Sequence, residues 1–580
     1  MRVLVLTGTV SFKSAFGILL LVSVLLFLSP VLAQEPKPSV VVEQACGAAA
    51  FKAGEVLVKF TEDVSEASIR RLLVTKGMGV LSETEGLGIV RLAVPAGREL
   101  DKVEELKHDP LVEYAEPNYV VHTVAAYEGQ DRSGQPSGAG IGASSTCSFI
   151  IPDDPRFPDQ WNLNRIQAPA AWCITTGSEE VVIAIVNTGV DLDHPELGAK
   201  IWTNPGEIPD NGFDDDGNGY IDDARGWDFV NGDDDPDDDH GFGTFVATVA
   251  AAEANNSFGI AGISWGARIM AVKVLNAEGR GYGDDLIEGI VYAADKGAKI
   301  IDLSLTTCDY SEALQDAVTY AYSKGCLLVA AAGDCGGGVC CDVINPVTYP
   351  AAHDHVVAVA GITRNDERLL VSGYGPHIDI AAPGEDIPGY WGTSYSNALD
   401  STMVASPHAS GLAALIWSVN PTLTPDEVEN IIEGTAVDLG DPGRDDYFGQ
   451  GCIDANAAVR AAPHHLQVSP TSLVFLADAE TDPLCQTVGN RGTGPSTWSA
   501  SASAPWLSVA GPFGYTPSWI TVCADKDALP DYGTYTAKIT AASTMTNCVN
   551  DPQIISATLS YVPQLFRFYF PLCFRGYKGP

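Results

Sequence analysis

Positive charge is scarce in this chain. Only 33 lysines and arginines stand against 74 aspartates and glutamates, for a formal charge of −41. Nucleic acid and anionic lipid are polyanions, so neither is expected as a main partner. Long apolar runs are scarce too. The one from Ala15 to Leu28 follows Arg2 and Lys13 and is too short to cross a bilayer comfortably. It reads as a secretory signal, with cleavage after Val31-Leu32-Ala33 leaving Gln34 first; an uncleaved anchor is the plainer alternative. No other stretch is apolar for long enough, so no span is expected after signal removal. Cysteine is not scarce. Thirteen in a secreted chain imply disulfides, and the odd count leaves at least one unpaired in a monomer. Cys335, Cys340 and Cys341 crowd one loop but lack ordinary zinc-ligand spacing. Cys485, Cys523 and Cys548 lie near the C-terminus, and the sequence does not dictate their pairing.

At 580 residues with 46% apolar content, the chain is too long for one core, and three or four domains are expected. After the signal (1–33) and a short segment (34–51), residues 52–121 read as a small α+β module. Gly54–Phe60, Gly86–Leu92 and Val112–Tyr119 have strand character, and Ser65–Thr75 has helical spacing. Residues 122–150 are rich in Gly, Ser and Pro, as in a flexible linker. In 151–461, apolar runs such as Val181–Val186, Ile300–Leu305, Leu327–Ala332 and Val356–Ala360 alternate with helical segments. They lack polar alternation, which predicts strands buried on both faces in a mostly parallel sheet flanked by helices. Thr424-Pro425-Asp426-Glu427 is a capping box with Pro at the first helical position, so a helix starts there. Residues 465–562 carry short alternating strands between Gly, Pro and Asp turns, which predicts a β-sandwich. The tail, 563–580, is aromatic and slightly basic.

Much of the acid sits between Asp210 and Asp239. Such a run is usually a solvated loop. Here Asp214, Asp216, Asn218, the Tyr220 carbonyl and Asp222 alternate, with Gly219 allowing the sharp turn. That order matches the opening of an EF-hand loop and predicts bound calcium. The closing bidentate Glu is absent, because Arg225 stands there; Asp223 is a candidate substitute. Asp233 to Asp239 is a weaker third region.

Three segments resemble the catalytic boxes of the subtilisin-like serine protease family. They are Val181–Val190, Asp239–Ala247 and Ser401–His408. The resemblance implies the subtilase fold, and it makes 52–121 an inhibitor-type prodomain that plugs the cleft. The C-terminal part resembles the immunoglobulin-like modules that follow secreted hydrolases, especially around Trp506-Leu507-Ser508-Val509. A second calcium site is implied by the resemblance, with Asp154, Glu196 and Asn256 as ligands. His194 and His408 are implied to be structural.

The pattern departs from the family where the chemistry lies. Asn187 stands for the acid, Phe242 for the histidine and Met403 for the serine; Asp334 replaces the oxyanion-hole Asn. A thioether has no proton to lose, and a phenyl ring accepts none. An amide cannot stabilise an imidazolium, and a carboxylate repels an oxyanion. Ser401 replaces a Gly, and Ser304-Leu305-Thr306-Thr307 replaces the substrate-pairing Ser-Leu-Gly-Gly. The expectation is therefore a secreted, calcium-stabilised pseudoprotease rather than an enzyme. Its former cleft would hold extended peptides or protein, with Thr306 and Thr307 intruding on the pairing. A scaffold tied to a cell surface or polysaccharide through the C-terminal module is one alternative. An active serine endopeptidase with relocated catalysis, drawing on His240, Ser401, Ser406 or His408, is the other.

Overall fold

The computed structural model describes residues 51–124, 149–336, 347–478, 484–490, 498–510, 518–543 and 552–563, with the pairs 339–340, 343–344 and 548–549. The expected signal, most of the linker and the C-terminal tail lie outside them. Among the described residues, no helix is long and apolar enough to cross a membrane.

The N-terminal module runs β1 (Phe51–Phe60), α1 (Glu66–Lys76), β2 (Gly79–Thr84), β3 (Ile89–Ala93), α2 (Glu99–Lys107) and β4 (Val112–His122). Helix α1 starts where the Ser65 side chain accepts the Ser68 N–H, and it stops at Gly77, which adopts φ 68°. The strand expected from Gly86 begins only at Ile89. Gly86 and Gly88, at φ 80° and 65°, turn the chain first. Val56, Val58, Leu92, Leu106 and Ala115 form the module's core. The sheet order is β2-β3-β1-β4-β8, and the last strand, β8 (Arg280–Tyr282), belongs to the next domain. The two domains thus share an antiparallel sheet. This pairing passes the expected boundary at 121: His122 pairs with Arg280, and Thr123 N–H donates to Gly279 O at 3.0 Å.

The central sheet has seven strands. Its order is β12 (Ile380–Pro383), β11 (Val356–Ile362), β10 (Leu327–Ala331), β9 (Ile300–Leu303), β5 (Val182–Asn187), β7 (Arg268–Lys273) and β6 (Gly226–Asp228). Every neighbouring pair is parallel. Residues 182–187 are buried throughout, which is why that stretch shows no alternation. The main helices are α3 (Phe242–Ala251), α4 (Gly283–Asp295), α5 (Glu312–Ser323), α6 (Ser406–Val419) and α7 (Pro425–Thr435). All of α6 is buried, as suits a helix enclosed by the fold. Helix α7 opens on the expected capping box, with both reciprocal bonds made.

The C-terminal region is two four-stranded sheets around Phe475, Trp498, Trp506 and Leu559. Cys485 and Cys523 are bridged there. Cys173, Cys308 and Cys335 are disulfide-bonded, which removes Cys335 as a zinc ligand. Cys326 and Cys452 are free and buried.

Candidate active site and cation sites

Strand β5 ends on Asn187, α3 begins on Phe242, and Met403 lies in the short 3-10 turn before α6. All three are essentially buried. The Asn187 amide donates to Ser304 O at 2.7 Å and accepts the Thr188 N–H at 2.9 Å, so both its polar atoms are engaged by backbone. Phe242 sits 6.2 Å from Phe245, nearly parallel, and 5.5 Å from the tilted Trp391 ring. Nothing local in the sequence announces Trp391 as its neighbour. Phe242 and Met403 belong to the hydrophobic core.

Met403 meets the end of the N-terminal module. Thr123 Oγ1 lies 3.5 Å from Met403 Sδ and 3.0 Å from Ser304 O. The residue after strand β4 therefore reaches Met403, with the strand's end held on one side by β8 and on the other by Thr306. His122 and Thr306 exchange both backbone hydrogen bonds, at 2.9 and 2.8 Å. The expected intrusion by Thr306 does not occur: its side chain is buried while both backbone groups still pair. Thr307 bridges Tyr349 instead.

Asp334 faces the Met403 turn. It accepts from Ser401 Oγ at 2.5 Å, Thr402 N at 2.7 Å and Thr402 Oγ1 at 2.8 Å. Burial raises its pKa, against those hydrogen bonds. The Asp at 334 and the Ser at 401 thus bond each other. Ser401 is fully buried and also receives the Met403 N–H. His240 has no hydrogen-bond partner at either ring nitrogen, so no serine is paired with it; burial lowers its pKa to about 4. Its Nε2, Thr123 Cγ2 and Val124 O crowd the space where a Gly279 side chain would stand. Ser406 Oγ bonds Ser304 Oγ at 2.7 Å. His408 bonds Asn162 at 2.8 Å and Val404 O at 3.0 Å, a packing role; His194 receives the Glu196 N–H at 3.1 Å.

The module's other contacts are polar. Glu116 receives Ser311 Oγ, Glu312 N and Ala313 N, capping α5; burial pushes its pKa up to about 7. Asn118 Oδ1 accepts the Asp284 N–H at the start of α4, and Arg91 pairs with Asp284. Lys59 Nζ meets Asp316 at 2.6 Å.

Two oxygen-rich sites follow. Asp154, Glu196 and Asn256, distant in sequence, come together. Asn255 N–H donates to Asp154 at 2.8 Å, and Asn256 Nδ2 donates to Glu196 at 3.0 Å. Burial lifts the pKa of Glu196 to about 7. Two adjoining buried acids with raised pKa values suit a cation. In the acidic insertion Asp214 and Asp216 both accept the Asn218 N–H, and the expected side chains hold the N–H groups of their own loop. Asp214 accepts the Gly217, Asn218 and Gly219 N–H groups; Asp222 accepts those of Asn211 and Gly212. Asn218 Oδ1 takes the Tyr220 N–H, while its amide donates to Asp223 at 3.0 Å. The acids that gather are Glu207, Asp216 and Asp223. Sequence reasoning missed Glu207; the one signal was an acid in the turn Asn204-Pro205-Gly206-Glu207 just upstream.

A seven-stranded parallel sheet whose strand and helix ends meet a docked N-terminal strand defines a subtilisin-like α/β protein. Residues 178–451 match the subtilase family, Peptidase S8, and residues 37–118 match the fervidolysin N-terminal prodomain. A thermophilic serine proteinase of Bacillus sp. (strain AK1) is 34% identical over 411 residues, covering 71% of this chain and 88% of the relative. Thermitase of Thermoactinomyces vulgaris is 38% identical over 310 residues, covering 53% and 99%. The halolysin-like extracellular serine protease Nep of Natrialba magadii is 32% identical over 423 residues, covering 71% and 68%. The chain belongs to the subtilase family and carries that type of prodomain.

Proposed function

We propose that this is a secreted subtilase without peptidase chemistry, whose cleft holds an extended strand rather than cutting it. The observation carrying this reading is the contact between Thr123 and Met403. A peptide strand lies against the family's nucleophile position, and that position has no proton to give. Peptide hydrolysis needs a nucleophile, a base, an orienting anion and oxyanion donors. Met403, Phe242, Asn187 and Asp334 supply none of them. The strand filling the cleft is the chain's own, so the prodomain is its first partner and remains covalently attached unless another protease acts. Purified secreted protein, followed by intact-mass spectrometry and casein digestion, tests this. Unprocessed chain and no digestion are expected. Self-release of the prodomain overturns the reading.

Kinship favours a second reading, since two of the three relatives above are named serine proteases. Under it the chain is a serine endopeptidase with relocated catalysis, and Ser401, hydrogen-bonded to Asp334, is the serine to test. A fluorophosphonate-labelled band that disappears in Ser401→Ala would establish it.

Calcium is part of the proposal. Asp154, Glu196 and Asn256 are proposed to hold one ion that ties the start of the domain to the 255–260 loop, and the acidic insertion a second. Binding to the folded state alone stabilises it by mass action. The C-terminal sheets are proposed to be an immunoglobulin-like spacer that contacts a cell surface or polysaccharide. Loss of surface retention on deleting the residues after 463 would support that role.

A further inference from the structure

One of the two C-terminal sheets is built from Val468–Ser469, Leu484–Asn490, Ser518–Ala524 and Leu507–Ala510, in that order across the sheet. Val488, Ile520 and Val522 point into the sandwich core. The residues between them make the outer face, and none of the four strands contains a charged residue. In a chain of formal charge −41 that is a local exception. On this face the two central strands pair Gly489 with Trp519, Thr487 with Thr521 and Cys485 with Cys523. The last pair is the disulfide. At about 3.4 Å per residue the three pairs form a strip about 13 Å long. The six-membered ring of Trp519 lies over Gly489, where any side chain would collide with Cε3 and Cζ3. Covering a strand glycine supports the strand and uses one side of the indole. Trp519 is nonetheless 52% exposed. Its ring is thus positioned by the fold and open to solvent.

The chain's overall charge opposes a polyanion, and an uncharged face gives a cationic ligand nothing to pair with. A protein interface is anchored by several large apolar or arginine side chains; here one indole stands among hydroxyls. A pyranose ring matches that arrangement. Its C–H side stacks on an aromatic face, and the hydroxyls of its rim exchange hydrogen bonds with threonines. We propose that this face binds a neutral polysaccharide, with Trp519 as the stacking platform and Thr487 and Thr521 as hydrogen-bonding partners further along the strip. This rests on the polysaccharide reading of the C-terminal sheets and names the face that carries it. The large side chains exposed on the strands of the other sheet, Val474, Leu476 and Ile554, are aliphatic and offer no ring to stack on.

The full chain is run in native gels containing hydroxyethyl cellulose, glucomannan or a soluble β-glucan, and is co-sedimented with insoluble cellulose and chitin. Retention by at least one of these is expected. Trp519→Ala is expected to weaken it at least about tenfold, as loss of a central aromatic anchor does. Trp519→Tyr, which keeps a ring, should retain most of the binding, and Val474→Ser, on the other sheet, all of it. Retention of Trp519→Ala equal to that of the unaltered chain overturns the proposal and leaves the broader polysaccharide reading standing. If that variant does not fold, Thr487→Ala with Thr521→Ala decides, and unchanged retention there overturns the proposal equally. A Trp519-dependent mass in sedimentation, with polysaccharide retention unaffected, would make the face a contact between copies of the chain and overturn it too. No retention of the unaltered chain by any of the five materials would overturn the polysaccharide reading itself.

Discussion

The positions that correspond to the family's catalytic boxes and the edge that holds a strand are built in different ways. At the centre, Phe242 and Met403 have joined the core and the Asn187 amide is consumed by backbone. At the edge, Gly279, Arg280, Tyr282 and Thr306 still pair with an incoming strand. Pairing uses main-chain N–H and C=O groups, which survive a change of side chain; proton transfer does not. Strand pairing at the edge therefore persists whatever side chains stand at the centre.

The most severe way to break this contrast is to restore the centre. Asn187→Asp, Phe242→His, Met403→Ser and Asp334→Asn together should return casein hydrolysis, but only with Ser401→Gly, since Ser401 and Asp334 now bond each other. Loss of a whole triad costs about 10⁶ in kcat, which bounds the gain. A silent quintuple variant would mean that the edge has changed as well. Next in size, Phe242→Ala should lower unfolding stability by about 3–5 kcal/mol, because a fully buried ring is removed from among Phe245 and Trp391. Denaturant unfolding measures it, and a loss below about 1 kcal/mol would deny the site its core role. Glu116→Ala should weaken docking by about 1–2 kcal/mol through loss of the α5 cap. Faster limited proteolysis of β4, with the C-terminal sheets unaffected, is the expected signature.

The smallest effect concerns pH. His240 is held neutral in the filled cleft, its pKa lowered from 6.5 to about 4 by burial. A depressed folded-state pKa gives stability present above 6.5 and lost as pH falls toward 4. Glu116 runs the other way: raised from 4.5 to about 7, it favours docking below 4.5 and loses that contribution as pH rises through 7. The two contributions oppose each other between about pH 4.5 and 6.5, so hydrogen exchange should show β4 more resistant to acid in His240→Phe, where only the Glu116 contribution remains, than in the unaltered chain. An identical acid profile in that variant would sever His240 from docking.

The sheet was legible because strands buried on both faces leave an unbroken apolar run, as in Ile300–Leu303 and Val356–Ile362. Helix α7 was legible because its start is written in four consecutive residues. The positions of the centre were legible, since box spacing marks them whatever occupies them. What surrounds those positions was not legible. Trp391 against Phe242, Thr123 against Met403 and Asp334 against Ser401 are long-range contacts with no local period. In the acidic insertion the fold adds a residue that the alternation does not show. Alternating acids suggest a loop closing on an ion, but Asp214 and Asp222 satisfy their own turn's N–H groups, and the gathered carboxylates include one from upstream.

The strand that ends on Thr123 is joined to the domain it occupies. A tethered ligand competes at a local concentration in the millimolar range, whatever the dilution of the sample. A free peptide of ordinary affinity is then at a disadvantage that its own abundance seldom overcomes. Under the proposed function the groove becomes available to outsiders only when the chain beyond residue 124 is severed, which would pass the timing of its occupancy to whichever neighbour makes that cut.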